Sequence, residues 1–279
     1  MIIERITTYT PLGIRFWDPV FNSQVSEGLE VKTWPASRPD REVNAFLTVS
    51  GIYAFQNLPG MRDIEFPPGD EVDLAFVVPR RFVVDVCDNN GRFLPVRFSV
   101  WLPILDYTGV YRPGYPSSLP DSAEPRFYLF SAPARSASFG IASVRANVVE
   151  AGTVEPAVYA FIEAEVAGEK YYSYTDQRGA FVLLFPYPPV ENTGGSPPGI
   201  SMNDQSWPLT LRISYQSKSR QEREEIWEFS QIKAQPPALT HRTTTETSAE
   251  LFQTLRYGQE LNLITTGPEA RSTLWIQPS

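Results

Sequence analysis

The sequence has very little of the side-chain chemistry that metal centres and covalent catalysis need. Its 279 residues include one cysteine, Cys87, and one histidine, His241. A single thiol excludes an intramolecular disulfide framework and a cysteine-based zinc site within the chain. A single imidazole excludes histidine-rich metal sites and paired histidine relays. We therefore expect a protein with no resident metal and no cofactor.

Lysine is also scarce, since 4 Lys stand beside 20 Arg, and the net charge is −8. Non-specific nucleic-acid binding needs a basic footprint, so this balance argues against a nucleic-acid partner. Arginine is enriched in the cores of protein interfaces, where lysine is depleted. The bias is therefore compatible with an interaction protein, although a GC-rich genome produces the same bias.

The sequence contains no apolar run of the roughly 18 residues that a transmembrane helix needs. The apolar stretch 96–105 is interrupted by Arg97, Ser99 and Pro103. The first residues lack the basic region and apolar stretch of a secretory signal. We expect cytoplasmic synthesis and assembly without direct membrane insertion. Outside the cell, the chain would form part of a released or membrane-attached particle.

Alternation of apolar and polar residues with a period of two dominates what is present. Runs rich in β-branched and aromatic residues are bounded by Pro, Gly or Asn-Gly, which is typical of strands joined by loops. The 26 prolines disfavour long helices. The pattern predicts an all-β fold. Strands are predicted at 73–78, 81–87, 92–102, 142–150, 157–166, 170–175, 180–185, 209–215 and 225–232.

Other local patterns are less regular. Residues 248–257 predict one short helix, because apolar residues follow a Thr or Ser cap at near-helical spacing. Residues 221–227 fit either the start of a helix or a charged hairpin tip. Segments 258–264 and 271–276 predict a C-terminal hairpin. Three proline-rich stretches predict long loops, which in compact domains are often binding loops; they are 109–125, 186–208 and 236–247.

Two segments share a pattern in which a glycine introduces a strand with aromatic and apolar residues. The first is Gly51-Ile52-Tyr53-Ala54-Phe55, followed by Leu58-Pro59-Gly60, and the second is Thr175-Asp176-Gln177-Arg178-Gly179-Ala180-Phe181. This pattern resembles the prealbumin-like or carboxypeptidase-regulatory-like β-sandwich. The resemblance covers about two-thirds of the chain and implies two Ig-like sandwich modules. The implied organisation is a module at 1–103, a Pro/Tyr-rich connecting loop at 104–125, a module at 126–232, and a C-terminal arm and hairpin at 233–279.

Shorter strings resemble accessory structural proteins of bacterial contractile, phage-tail-like injection systems. The resemblance implies a non-enzymatic structural or adaptor subunit at a cap, baseplate or shaft position. It also implies multiple copies per particle and contacts with other protein subunits. The alternative is a carbohydrate- or surface-binding β-sandwich module that uses exposed aromatic side chains. The strings that carry the resemblance are 11–18, 130–133, 184–189 and 255–261.

The sequence predicts no enzyme. His241 lies among threonines without a Gly-x-Ser-x-Gly elbow in the chain, which predicts a solvated linker residue. Cys87 lies in an apolar run, which predicts a small buried side chain rather than a nucleophile. Carboxylate pairs could support a hydrolase, but no sequence spacing brings two of them together.

Exposed aromatic side chains are the stronger candidates, because they provide large contact areas at low entropic cost. Trp34 and Trp207 stand next to prolines in loop-like sequence, and 107–116 combines tyrosines with Arg and Pro. These features predict an interaction surface. The candidate interface residues are Trp34, Tyr107, Tyr111, Arg112, Tyr115, Trp207 and Tyr257.

Overall fold

In the computed structural model, short β-strands dominate, and the all-β prediction is confirmed. The chain divides into two compact units, one comprising 1–90 and 95–129 and the other comprising 91–94 and 130–279. Within the described residues, no helix is long and apolar enough to cross a membrane. The structure describes residues 9–66, 78–103, 126–189, 205–270 and 272–278.

The first unit is built from small antiparallel sheets and one parallel pairing. Its described sheets have the strand orders β1-β7-β6, β10-β2-β3 and β5-β4-β8-β9, and only β10 and β2 run parallel. The elements are β1 (Leu12–Ile14), β2 (Phe16–Asp18), β3 (Ser23–Gln24), β4 (Leu29–Pro35), β5 (Val43–Asn44), β6 (Phe46–Leu47), β7 (Tyr53–Phe55), α1 (Arg62–Glu65), β8 (Arg80–Asp88), β9 (Val96–Leu102) and β10 (Phe127–Tyr128).

Strand β8 makes the two longest described pairings of the first unit, one with β4 and one with β9. Strands β8 and β9 are antiparallel, with Asp85 opposite Arg97, and residues 89–95, which include Asn90-Gly91, connect them. In β9 the apolar residues alternate, so that Val96, Phe98 and Val100 are buried. The period-two pattern therefore identified the buried face correctly.

The second unit has two larger sheets. One has the order β14-β11-β20-β16-β17 with β19 also paired to β11, and the other has the order β13-β12-β15-β18. The elements are β11 (Ile141–Glu150), β12 (Phe161–Val166), β13 (Glu169–Tyr174), β14 (Ala180–Pro186), β15 (Ser206–Ser214), α2 (Arg220–Glu224), α3 (Phe229–Lys233), β16 (Leu239–His241), β17 (Thr247–Ser248), β18 (Leu251–Arg256), β19 (Leu261–Asn262) and β20 (Leu274–Gln277).

Both sheets of the second unit contribute to one hydrophobic core. Strand β15 shows how, because Leu209, Leu211 and Ile213 are buried at alternate positions. Val144 of β11 and Ile162 of β12 join the same cluster from the two sheets. At about 25 cal/mol per Å² of apolar surface removed from water, such burial is the main stabilising contribution.

The segment 233–279 is an integral part of this core, which differs from the predicted arm. Leu251, Leu255 and Leu274 are buried in the same cluster as the earlier strands. The C-terminal hairpin prediction is wrong as well. Strands β19 and β20 each pair in parallel with β11, at different positions along it, rather than with each other.

Two further local predictions are wrong. The helix predicted over 248–257 is β17 and β18, because Leu251 and Leu255 face the core as alternate members of a strand. The strand predicted at 225–232 is partly α3, which begins where Glu228 and Gln231 form a reciprocal capping box. For 221–227 the helical alternative is closer, because α2 begins after the Ser219 cap.

The two glycines of the repeated pattern have the same backbone conformation. Gly51 and Gly179 both have φ of +74°, a region that favours glycine. Gly51 precedes β7, which runs antiparallel to β1, and Gly179 precedes β14, which runs antiparallel to β11. The pattern therefore marks equivalent local geometry in both units.

Candidate functional site

An aromatic cluster in the second unit brings together two of the predicted interface residues, Trp207 and Tyr257. Tyr187, which sequence reasoning did not select, lies between them. Its ring centroid is 5.5 Å from that of Trp207 and 4.7 Å from that of Tyr257. The sequence predicts an exposed Trp207, whereas its side chain is half-buried against the core. The prolines that flank Tyr187 were the signal that could have identified it.

The hydroxyl of Tyr187 ties the turn after β18 to the end of β14. It accepts a hydrogen bond from Gly258 N at 2.9 Å and donates one to Arg256 O at 3.4 Å. Burial raises the pKa of the Tyr187 hydroxyl, so it remains protonated and can make both bonds. The position of Tyr257 is thereby fixed next to Tyr187.

An open cavity of about 550 Å³ lies beside Tyr187 and Tyr257, and we call it the aromatic groove. The side chain of Phe139 on its wall is 96% exposed. The ring therefore adds an exposed apolar surface to the wall of the groove. The other lining residues are 136–138, 140–141, Ser143, Arg145 and 258–260.

Arg145 and Glu260 form the polar part of the aromatic groove. Arg145 Nε donates to Glu260 Oε2 at 2.7 Å, and Ser143 Oγ donates to the same oxygen at 3.1 Å. The remaining guanidinium nitrogens donate to the backbone oxygens of Pro133 and Arg135. Burial alone would raise the pKa of Glu260, but the hydrogen bonds and charge supplied by Arg145 lower it. Glu260 is therefore an anion with a fixed orientation at neutral pH.

Trp34, also predicted to be exposed, lies in β4 and is half-buried. The guanidinium of Arg97 lies 5.2 Å from its ring centroid and also makes two 3.2 Å hydrogen bonds to Asp85. Arg97 therefore covers part of this indole. The other predicted interface residues, Tyr107, Tyr111, Arg112 and Tyr115, lie outside the described residues.

The predicted exposure of the single histidine and the predicted burial of the single cysteine are both wrong. His241 is buried in β16, with its ring centroid 6.3 Å from that of Trp275, rather than solvated in a linker. Neither of its ring nitrogens has a hydrogen-bond partner in the described part of the chain. Cys87 is exposed rather than buried. Partial desolvation and the neighbouring Asp85 raise the pKa of its thiol, which disfavours the reactive thiolate.

A buried polar cluster lies elsewhere in the second unit. Tyr215 donates to Glu150 Oε1 at 2.5 Å, and Ser217 donates to Glu150 Oε2 at 2.9 Å. Lys218 Nζ donates to Gln235 Oε1 at 2.7 Å and lies 4.3 Å from the Tyr215 ring centroid. Burial lowers the pKa of Lys218 to about 7, and burial together with Glu150 raises that of Tyr215. These bonds join the segment carrying α2 and α3 to β11 and β15.

Metal binding is not indicated by the residues that the structure describes. Among them, no group of three or more His, Cys, Asp or Glu side chains is arranged to hold an ion. The polar side chains of the aromatic groove hydrogen-bond among themselves, and the side chains of the buried cluster do the same within that cluster.

Comparisons with known proteins add little to this geometry. No protein-family profile matches the chain, and no curated protein matches it. It is similar to a Ca²⁺-stabilised adhesin with which an Antarctic bacterium binds ice, at 9% identity and a TM-score of 0.16, covering 84% of this chain and 41% of that one. It is also similar to a candidate adhesin from Bacteroides ovatus, at 12% identity and a TM-score of 0.19, covering 77% of this chain and 84% of that one. TM-scores this low have no bearing on function.

Proposed function

We propose that the chain is a non-enzymatic structural or adaptor subunit of a large bacterial protein assembly, built from two prealbumin-like β-sandwich modules. The resemblance of its short strings makes a contractile injection particle the favoured assembly, with the subunit at the cap, baseplate or shaft. The aromatic groove is the observation that carries the proposal, because it offers an exposed anchor beside fixed polar groups. Its partner would be another protein subunit of the particle.

The chemistry of the aromatic groove fits a protein partner. Protein interfaces combine aromatic and arginine side chains at their centres with a polar rim. Phe139 is the exposed anchor, and Tyr257 is held in place by Tyr187. A prearranged surface loses less conformational entropy on binding than a mobile one. The groove therefore supports contact with a neighbouring subunit.

Incorporation into particles tests this proposal. Tagged Phe139→Asp and Tyr257→Asp variants would be expressed in the producing bacterium, and particles would be purified and assayed for the chain. We expect incorporation to fall at least tenfold, because each change places an unpaired charge in the contact. Phe21→Asp is the matched control, since Phe21 is 55% exposed in the first unit. Wild-type incorporation of both groove variants would contradict the assigned surface, and a wild-type chain absent from particles would contradict the role.

Saccharide binding is the second candidate, since Tyr257 lies beside a carboxylate and a guanidinium. Sugar-stacking platforms need an open aromatic face, whereas Trp207 packs against Tyr187, and Arg97 lies over Trp34. These contacts favour the protein partner. A glycan array with wild-type chain and Tyr257→Ala separates the two candidates. Saccharide binding that the variant loses would favour the second candidate.

A further inference from the structure

Strand β18 forms one edge of its sheet. It pairs with β15 on one side, and no other described strand pairs with its outer side. Its side chains alternate between the two faces, with Leu251 and Leu255 buried and Phe252, Thr254 and Arg256 exposed. The edge strand thus has a well-defined outer face.

One backbone hydrogen bond shows which residues of β18 bond to β15 and which face the other way. Tyr257 N donates to Gln205 O at 3.0 Å, which makes Gln205 and Tyr257 a hydrogen-bonded pair. Such pairs alternate along an antiparallel ladder, so Leu255 and Gln253 bond to β15 as well. The backbone N–H and C=O groups of Phe252 and Thr254 therefore point away from β15, towards the open edge.

Natural edge strands are commonly protected by lysine, proline, bulges or covering segments. Residues 250–256 contain neither lysine nor proline. The side chain of Phe252 is 67% exposed. A cavity of about 440 Å³ lies along this edge, between β18 and residues 259–261. Among the described residues, the edge therefore combines backbone groups without a strand partner, an exposed aromatic ring and an adjoining cavity, which suits pairing with another strand.

We infer that the occupant is β18 of a second copy of this chain, paired antiparallel about a two-fold axis. Phe252 of each copy lies opposite Thr254 of the other, so that the outward backbone groups of both residues exchange hydrogen bonds. The two sheets then form one continuous sheet. The axis is perpendicular to it, which keeps both cores on the same face.

Charge complementarity identifies the second copy as the occupant. In this register, Glu250 of each copy lies directly opposite Arg256 of the other, and opposite charges in directly facing positions stabilise a strand pair. The two Phe252 rings become diagonal neighbours, which aromatic side chains can bridge. The segment is thus self-complementary: an acid at one end, a base at the other and an apolar residue between them.

This inference rests on the proposed function in one respect only. A structural subunit that is present in multiple copies needs contacts between those copies. The inferred contact centres on Phe252 and Thr254 rather than on the Phe139 anchor, although Gln259 and Glu260 line both cavities. The dimer is measured on the purified chain, whereas the proposed function is measured on particles. Normal incorporation with no dimer would overturn this inference alone, and a dimer with no incorporation would overturn the proposed function alone.

Sedimentation equilibrium of the full chain is the primary test. We expect a reversible species of twice the 31.4 kDa chain mass at micromolar to submillimolar concentrations. Thr254→Pro removes an outward N–H without touching the ladder to β15, so it should abolish the dimer. Thr254→Val keeps the N–H and is the matched control, expected to dimerise. A monomeric wild-type chain would overturn the inference, and so would a dimer that Thr254→Pro leaves intact.

A charge exchange tests the register and the identity of the occupant. Arg256→Glu should raise the dimer dissociation constant at least about tenfold, because two like-charged pairs then face each other. Adding Glu250→Lys in the same chain restores opposite charges and should restore the dimer. Arg212, which bonds Glu250 at 2.7 Å, keeps its partners Glu163 and Glu165 in that variant. Circular dichroism verifies folding, and failure of the double variant to recover a dimer while folded would contradict the register.

Discussion

An ion pair on the surface of the first unit and a buried polar cluster of the second unit differ in their surroundings. In the first unit, Arg97 and Asp85 pair on a sheet surface beside Trp34, where both remain partly exposed. In the second unit, Glu150 and Lys218 are buried with Tyr215, and every one of these groups has a hydrogen-bond partner. Buried polar groups that satisfy one another fix a single arrangement, whereas surface pairs contribute little. We therefore expect the buried cluster of the second unit to contribute more to stability than the Asp85–Arg97 pair of the first unit.

The largest effect on stability is expected from replacing Gly179 or Gly51, the two glycines of the repeated sequence pattern. In Gly179→Ala a Cβ would meet the backbone oxygen of Val148, which cannot move away, whereas in Gly51→Ala it would meet the flexible side chain of Gln24. Both changes also impose a left-handed conformation on alanine. We expect losses of unfolding free energy of about 4 kcal/mol for Gly179→Ala and about 2 kcal/mol for Gly51→Ala. Urea denaturation measures both, and equal losses would contradict the difference between the units.

The pH dependence of stability should come from the second unit. Lys218 has a pKa of about 7 when folded and 10.5 ordinarily, so the unfolded chain binds more protons between these values. Stability should therefore rise with pH from about 7 to 10, with a slope of up to about 1.4 kcal/mol per pH unit. Above about pH 10 it should fall, because the unfolded chain releases the Tyr215 proton that the folded chain retains.

Lys218→Met tests this assignment, since methionine fills the space without an ionisable group. Urea denaturation at several pH values should show the rise between pH 7 and 10 flattened, with the fall at higher pH retained. The same series on Lys32→Met, a half-buried lysine of the first unit whose pKa is raised by Glu30, is the control and should keep the wild-type rise between pH 7 and 10. An unchanged rise in Lys218→Met would show that another group causes it.

A smaller effect is expected at the aromatic groove. Tyr187→Phe removes the bonds to Gly258 N and Arg256 O but keeps the ring that packs on Trp207 and Tyr257. We expect a loss of about 1 kcal/mol of unfolding free energy and faster amide exchange at Gly258. Hydrogen exchange followed by mass spectrometry measures the second effect. If the amide of Gly258 in the variant were as protected from exchange as in the wild type, the Tyr187 hydroxyl would not be what holds this turn.

The smallest effect is expected on the first unit's surface. Asp85→Asn should cost about 0.5 kcal/mol, because its ion pair with Arg97 is partly exposed to solvent. Thermal unfolding at low and high salt measures this loss. The difference in stability between the wild type and the variant should be smaller at high salt, because salt screens the ion pair. A loss larger than that from Tyr187→Phe would reverse the comparison between the units.

Much of the strand content could be predicted from the sequence, because period-two alternation reflects which face a strand buries. Segments 142–150, 170–175 and 180–185 lie within one residue of β11, β13 and β14. The prediction was wrong at 248–257, because Leu251 and Leu255 satisfy both a helical spacing and an alternating one. Only the presence of β15 as a pairing partner made this segment a strand.

The candidate site could be predicted less well. Trp207 and Tyr257 were identified as aromatic residues, but their meeting through Tyr187 depends on the ends of β14, β15 and β18 lying together. The sequence predicts an exposed Trp34, yet Arg97, which is 63 positions further along the chain, lies over its ring. Proximity of this kind has no local sequence signal.

The sequence by itself determined the all-β class and the turn glycines Gly51 and Gly179, since these depend on residue type and local conformation. The tertiary structure alone decided that the one histidine is buried and the one cysteine exposed. It also decided that β19 and β20 each pair in parallel with β11 instead of forming a hairpin with each other. The reason is that burial and strand pairing are set by contacts between distant segments, which local patterns do not encode.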